Sequence, residues 1–213
     1  MRPSNQTIER RLKPLFFVTL MLPALWLALQ WLRAILGQPS ALGFNPIEYT
    51  NRFLGDWALR TLILALAMRP LAILSGSLLP IRFRRMAGLI AFSYVCLHVT
   101  NYLAVDLFFD WTAFWQDVLK RNYITLGMIT VVLLLPLVFT STKKMVKRLG
   151  GRNWQRLHRT VYAINILAVF HFMMMVKGNQ SEPKIYLAIV LTLLGIRLIP
   201  LVKARSGRQN EVA

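Results

Sequence analysis

Residues Trp154–His171 read WQRLHRTVYAINILAVFH, a helix-length apolar stretch that carries two of the three histidines in the chain. The third, His98, stands in the middle of another such stretch, RMAGLIAFSYVCLHVTNYLAV from Arg85. Ionisable side chains inside a lipid-spanning helix are costly and rare, so each of these histidines is a functional candidate. Outward from this stretch the pattern repeats. Apolar runs near twenty residues cover about 15–36, 54–74, 86–109, 122–140, 154–176 and 184–202. Each is long enough to cross a hydrocarbon core of about 30 Å. None alternates in polarity as a barrel strand would. The fold expected is all-α and integral to the membrane, with residues 1–213 forming one transmembrane domain of six helices.

Composition agrees. Hydrophobic residues make up 56% and charged residues 16% of the 213, a membrane balance. The formal charge of +18 raises nucleic acid as a partner. The basic residues, however, sit in short clusters between apolar runs, which is how topology is written; the partner implied is the lipid bilayer, not nucleic acid. Arg10, Arg11 and Lys13 precede the first run as in a signal peptide, but that run is long and no small-residue cleavage site follows. It is read as a membrane helix. Cys96 is the one cysteine and is read as a small buried helix residue, with no intramolecular disulfide available.

Loop charges orient the bundle. One side carries Arg2, Arg10, Arg11, Lys13, Arg82, Arg84, Arg85, Lys143, Lys144, Lys147, Arg148, Arg152, Lys203, Arg205 and Arg208. The other carries Arg52, Lys120, Arg121, Lys177 and Lys184. The positive-inside rule puts both termini in the cytoplasm. Trp111 and Trp115 then fall in an outer loop, and residues 37–52 form an irregular one. Asp56 and Arg60, four apart, pair on one helix face. Arg33, Arg69 and Arg197 lie near span ends, where they snorkel.

Depth sorts the histidines. At a rise of about 1.5 Å per residue, His98 stands about 20 Å above Arg85, and His171 about 25 Å above Trp154. His158 is only about 6 Å above Trp154. Neutral imidazole is the common axial ligand of haem iron, and facing helices supply the two sides of the ring. His98 and His171 therefore form the natural pair for one haem, clamped between the third and fifth spans. His158 lies near the cytoplasmic face, level with Arg84 and Arg85. A second haem, a flavin or a propionate contact there is one reading, and an interfacial histidine beside a positive-inside anchor is the other. No phosphate loop, GxGxxG, HExxH or nucleophile elbow is found. Two other readings stay open: a metal reductase acting alone at the outer face, and a small transporter using the histidines as a proton relay.

The segment Arg84-Arg85-Met-Ala-Gly88 through Tyr94 and His98 to Tyr102 resembles the third span of the ferric-reductase-like transmembrane family. Trp57-Ala-Leu59, Thr140-Ser-Thr142, Leu149-Gly150, Trp154, Leu157-His158, Tyr162 and the spacing to His171 follow the same pattern. The resemblance covers nearly the whole chain. It implies a cytochrome b-like bundle in the bacterial inner membrane, with haem b held by His98, His158 and His171 and FMN as an associated cofactor. It implies electrons taken from quinol or a cytosolic flavin reductase. It implies delivery to a periplasmic molybdopterin-containing subunit that reduces methionine sulfoxide in oxidised proteins. Relatives in the wider family carry two histidines on each haem helix; here Arg84 stands fourteen residues before His98.

Overall fold

The computed structural model describes residues 5–176 and 181–198. The basic residues Arg2, Lys177, Lys203, Arg205 and Arg208, and the end of the expected sixth span, lie outside them. Among the described residues the chain is helical throughout. The elements are α1 (Asn5–Ile35), α2 (Pro46–Ser75), α3 (Leu79–Thr100), α4 (Trp111–Lys120), α5 (Asn122–Phe139), α6 (Lys143–Leu149), α7 (Gly151–His158), α8 (Val161–Met175) and α9 (Ser181–Ile196). Among the described residues, five stretches are long and apolar enough to cross a membrane: Arg11–Ile35, Pro46–Ser75, Leu79–Asp106, Asn122–Phe139 and Gly151–Met175.

Local chemistry sets several boundaries that hydropathy misplaced. Helix α2 begins eight residues before the expected start at 54, inside the stretch expected to be irregular. The Asn45 side chain accepts from the Glu48 N–H, and Pro46 occupies the first turn, where its missing N–H costs nothing. The helix ends at Gly76, whose φ of 65° is the left-handed conformation that glycine adopts freely. Helix α3 runs on through a π-helical turn at Asn101–Asp106. The expected outer loop with Trp111 and Trp115 is itself a helix, α4. Asp110 caps it by accepting from the N–H groups of Thr112 and Ala113. Cys96 is exposed rather than buried. The buried face of α3 is made by Phe83, Ala87, Ile90, Ala91 and Tyr94, and Cys96 points about 200° away from Tyr94 around the helix.

The expected fifth span is not one regular helix. It is α7 and α8 joined at Arg159-Thr160, where the Arg159 and Thr160 N–H groups reach back to Arg156 and Leu157. These three-residue bonds tighten the turn without reversing the chain.

Helix α2 is the centre of the bundle. It is 56% buried over its apolar window, against 17–28% for the other four. It packs on α1 and α3 around Leu54, Ala58, Ile90 and Tyr94, on α3, α5 and α8 around Leu62, Ala91, Leu134 and Ile164, and on α8 and α9 around Leu66, Val169 and Val190. The Asp56–Arg60 pair forms at 3.9 Å, and Arg60 also reaches Glu182 at 3.5 Å and the Tyr186 hydroxyl at 2.8 Å. The expected intrahelical pair thus also ties α2 to α9. Arg197 does not extend outward. Its guanidinium bonds the Tyr162 hydroxyl and the Leu66 carbonyl.

Two buried hydroxyls join α1 to the rest: Thr50 of α2 accepts from Trp31 Nε1 at 2.8 Å, and Tyr94 of α3 bonds the backbone of α1. Tyr94, 1% exposed, donates to the Leu20 carbonyl at 2.8 Å and accepts from the Ala24 N–H at 3.2 Å. It thereby bridges two groups that a regular helix would pair with each other, beside Pro23. Tyr94→Phe keeps the ring and loses the bridge. The expected cost is about 1 kcal/mol, against about 3–5 kcal/mol for Tyr94→Ala. Detergent-denaturation curves of the two variants check this, and a Tyr94→Phe curve lying on the wild-type curve would remove the hydroxyl from the account.

Candidate functional site

Helices α3 and α8 bring His98 and His171 together from 73 residues apart. Their ring centroids are 6.4 Å apart and their planes cross at 80°. The Nδ1 atom of His98 lies 2.9 Å from the Asn51 carbonyl of α2, and that of His171 lies 2.6 Å from the Tyr123 carbonyl of α5. A carbonyl only accepts, so Nδ1 carries the proton in each ring. A neutral imidazole then keeps its lone pair on Nε2. An N–H held by a carbonyl, with the other nitrogen left basic, is the arrangement that orients metal-bound histidines.

The two rings face a cavity of about 780 Å³ between α2, α3, α5 and α8. Its inner wall is apolar, with Leu59, Leu62, Val95, Val131, Leu134, Ala168 and Phe172. Its mouth is polar, with Glu48, Arg52, Asp56, Asp106 and Arg121. Arg52 is ion-paired with Glu48 at 2.6 Å and Arg121 with Asp117 at 3.0 Å. The volume is that of a ligand pocket, and the walls suit a flat apolar body with charged groups at one edge.

The donor set discriminates between metals. Among the described residues no group of three or more His, Cys, Asp or Glu side chains is placed to hold a metal ion. A bare ion would find only two nitrogens here. Haem iron brings four of its own and needs two more from opposite sides. Two imidazoles sharing a metal at a bond length of about 2 Å stand with centroids roughly 6 Å apart, close to the spacing seen. The residues present fit haem.

His158 is elsewhere. It is the last residue of α7 and does not line the cavity. Its ring stacks on Trp154, with centroids 4.0 Å apart and planes at 26°. Its Nε2 lies 3.1 Å from the Thr140 hydroxyl oxygen. That hydroxyl already donates to the Pro136 carbonyl at 2.6 Å, so His158 Nε2 is the donor to Thr140. Trp154 adds a bond to the Thr140 carbonyl at 2.9 Å. Both side chains therefore clamp α7 onto the end of α5, and His158 takes the opposite tautomer from the cavity pair. Arg84 is half-buried within electrostatic reach of His158, Arg197 and Arg69, while Arg85 is exposed. The cavity thus gathers two of the five expected site residues, and the other three lie outside it.

Sequence reading missed the Asn51 and Tyr123 carbonyls. A backbone acceptor has no residue identity to read. The charged mouth was missed for another reason: Arg52 and Arg121 were read only as charges that orient the chain.

A family model described as ferric reductase like transmembrane component matches residues 54–169, a range that contains His98 and His158 and stops just before His171. The chain is 48% identical over 193 residues to the protein-methionine-sulfoxide reductase heme-binding subunit MsrQ of Rhodospirillum rubrum, covering 90% of each chain. It is 46% identical over 180 residues to the subunit of that name in Caulobacter vibrioides, covering 83% of this chain and 85% of that one. It is also 40% identical to the magnetosome protein MamZ of Magnetospirillum gryphiswaldense over 185 residues, which are 87% of this chain but 28% of that protein.

The hydrogen bonds assign ring protons, and nitrogen NMR of the metal-free, histidine-labelled protein reads them. Two imidazoles should carry the proton on Nδ1 and one on Nε2. His158→Gln should remove the Nε2–H signal and leave the other two. Three rings of one tautomer would contradict the bonding described.

Proposed function

The chain belongs to the ferric-reductase-like transmembrane family, and from that premise we propose that it is a haem b electron-transfer subunit of a methionine-sulfoxide reductase system. It is a multi-pass membrane protein. The observation that carries the reading is the His98–His171 pair, with both Nε2 lone pairs free and an apolar cavity between them. The names of its relatives add haem and the reductase.

Haem, when bound, supplies a one-electron carrier. The protein's part would be to supply His98 and His171 to the iron, apolar walls to the ring and the polar mouth residues to its carboxylates. Leu62, Val131 and Leu134 line the cavity and would limit solvent at a bound haem, which is one lever on reduction potential. The acceptor is a periplasmic molybdopterin-containing subunit. There, two electrons and two protons convert a methionine sulfoxide to the thioether and water. The donor is quinol or a cytosolic flavin reductase.

The full topology proposed is six spans forming one transmembrane domain in the bacterial inner membrane, with both termini cytoplasmic. Helix α9, sixteen described residues long, is the start of the sixth span. Charge segregation supports this orientation. Glu48, Asp56 and Asp106 line the cavity, Asp117 pairs with the lining Arg121, and Glu182 pairs with Arg60. The α6–α7 end carries Lys143, Lys144, Lys147, Arg148, Arg152 and Arg156 instead. At that end His158, Arg84 and Arg85 serve a second redox group, a further haem or FMN, or the docking of the donor.

The visible spectrum of the purified protein tests the whole reading, and a colourless wild-type preparation would sink it. His98→Ala and His171→Ala should each abolish most of the low-spin haem signal; wild-type spectra and haem content in both would refute the ligand assignment. His158→Ala should spare that signal and slow haem reduction by a flavin donor added to the basic face of inverted vesicles. An unchanged rate with unchanged cofactor content would leave His158 only its clamp on α5.

A further inference from the structure

We infer that Gly55 and Gly127 are positioning residues that set the rotation and tautomer of His98 and His171, and that the bundle holds its two ligands with two copies of one device. The inference rests on the haem-ligand reading above.

On α2 the Asn51 carbonyl takes the His98 N–H, and Gly55 stands four residues further on. On α5 the Tyr123 carbonyl takes the His171 N–H, and Gly127 stands four residues further on. A Cβ on Gly55 would lie 3.2 Å from His98 Cε1 and 3.3 Å from its Nδ1. A Cβ on Gly127 would lie 3.0 Å from both of the same atoms in His171. These are tighter than ordinary carbon contacts. The other helical glycines among the described residues, Gly88, Gly151 and Gly195, would meet nothing within 4 Å.

The geometry has a reason. In a helix each Cβ leans toward the N-terminus, so the side chain at i+4 overhangs the carbonyl of residue i. That carbonyl already accepts the i+4 N–H and has a second lone pair free. A ring approaching from another helix reaches that lone pair only where the overhanging Cβ is missing. Glycine at i+4 removes it, and the imidazole lies against bare backbone. Glycine inside a helix is less stable than alanine there, so two of them at this offset from two acceptor carbonyls call for such a cause.

The spacing repeats. Acceptor and ring are 47 residues apart in the first copy and 48 in the second. Each glycine follows a leucine, Leu54 and Leu126. Helices α2 and α3 thus do for His98 what α5 and α8 do for His171. Each copy orients its own ring independently, and together they set the planes 80° apart.

The test uses the full-length protein with haem bound and its Gly55→Ala, Gly127→Ala and Gly88→Ala variants. Crossed axial imidazoles give a strongly anisotropic low-spin EPR signal, and the anisotropy falls as the planes rotate toward parallel. Gly127→Ala should reduce the anisotropy and shift the midpoint potential, Gly55→Ala should do so less, and Gly88→Ala should match wild type. Wild-type EPR spectra and potentials in both cavity variants would overturn the inference. Where a variant takes up no haem, nitrogen NMR of the metal-free protein should show loss of the Nδ1–H tautomer at the affected histidine alone; retention there overturns it. Where a variant is too unstable for either measurement, the substitution is repeated in a His171→Ala or His98→Ala background. Removing the ring should restore stability to that of the single histidine variant, and persistence of the defect overturns the inference. A colourless wild type would sink the haem reading while leaving the NMR and stability arms able to test the glycines.

Discussion

A neutral imidazole inside a bundle of apolar helices must place its N–H on an acceptor, and the acceptors on hand there are backbone carbonyls already engaged in helices. The arrangement around the cavity follows from that constraint. His98 and His171 spend Nδ1 on Asn51 and Tyr123 of neighbouring helices, which leaves the Nε2 lone pair of each ring unspent beside the cavity they line. The ring separation and the cavity then suit a group that brings its own equatorial ligands. His158 meets the same demand differently, through the Thr140 hydroxyl, and is thereby turned from a cavity ligand into a clamp.

Because acceptor and imidazole sit on different helices, the site depends on how α2 and α5 pack against α3 and α8. Helix α2 does most of this work. It touches all three buried clusters, carries the Asn51 carbonyl and Gly55, and is tied to α9 through Arg60. Tyr94 fastens α1 to the same assembly by bridging its backbone near Pro23. The polar cavity mouth and the basic α6–α7 end then divide the molecule into two electrically different faces. Such a division suits a protein that takes charge from one side of a membrane and passes it to the other.

The class of fold was legible in the sequence alone, since apolar runs of this length admit only helices in lipid. So was the pairing of His98 with His171, because the helical rise is constant and depth can be counted along two facing helices. The motifs around His98 and His158 were enough to reach the family. Four features emerge only once the helices are packed. The break at Arg159-Thr160 lies within a stretch that hydropathy reads as a single span. The early start of α2 rests on a cap at Asn45 that hydropathy does not weigh. The tautomers depend on which acceptor each ring meets. The role of Gly55 and Gly127 depends on a ring arriving from more than forty residues away. The physical reason is common to the last two: a hydrogen bond to a backbone carbonyl, and the missing Cβ that lets it form, leave no mark in the residue that donates. Such a contact becomes visible only when the helices are packed together.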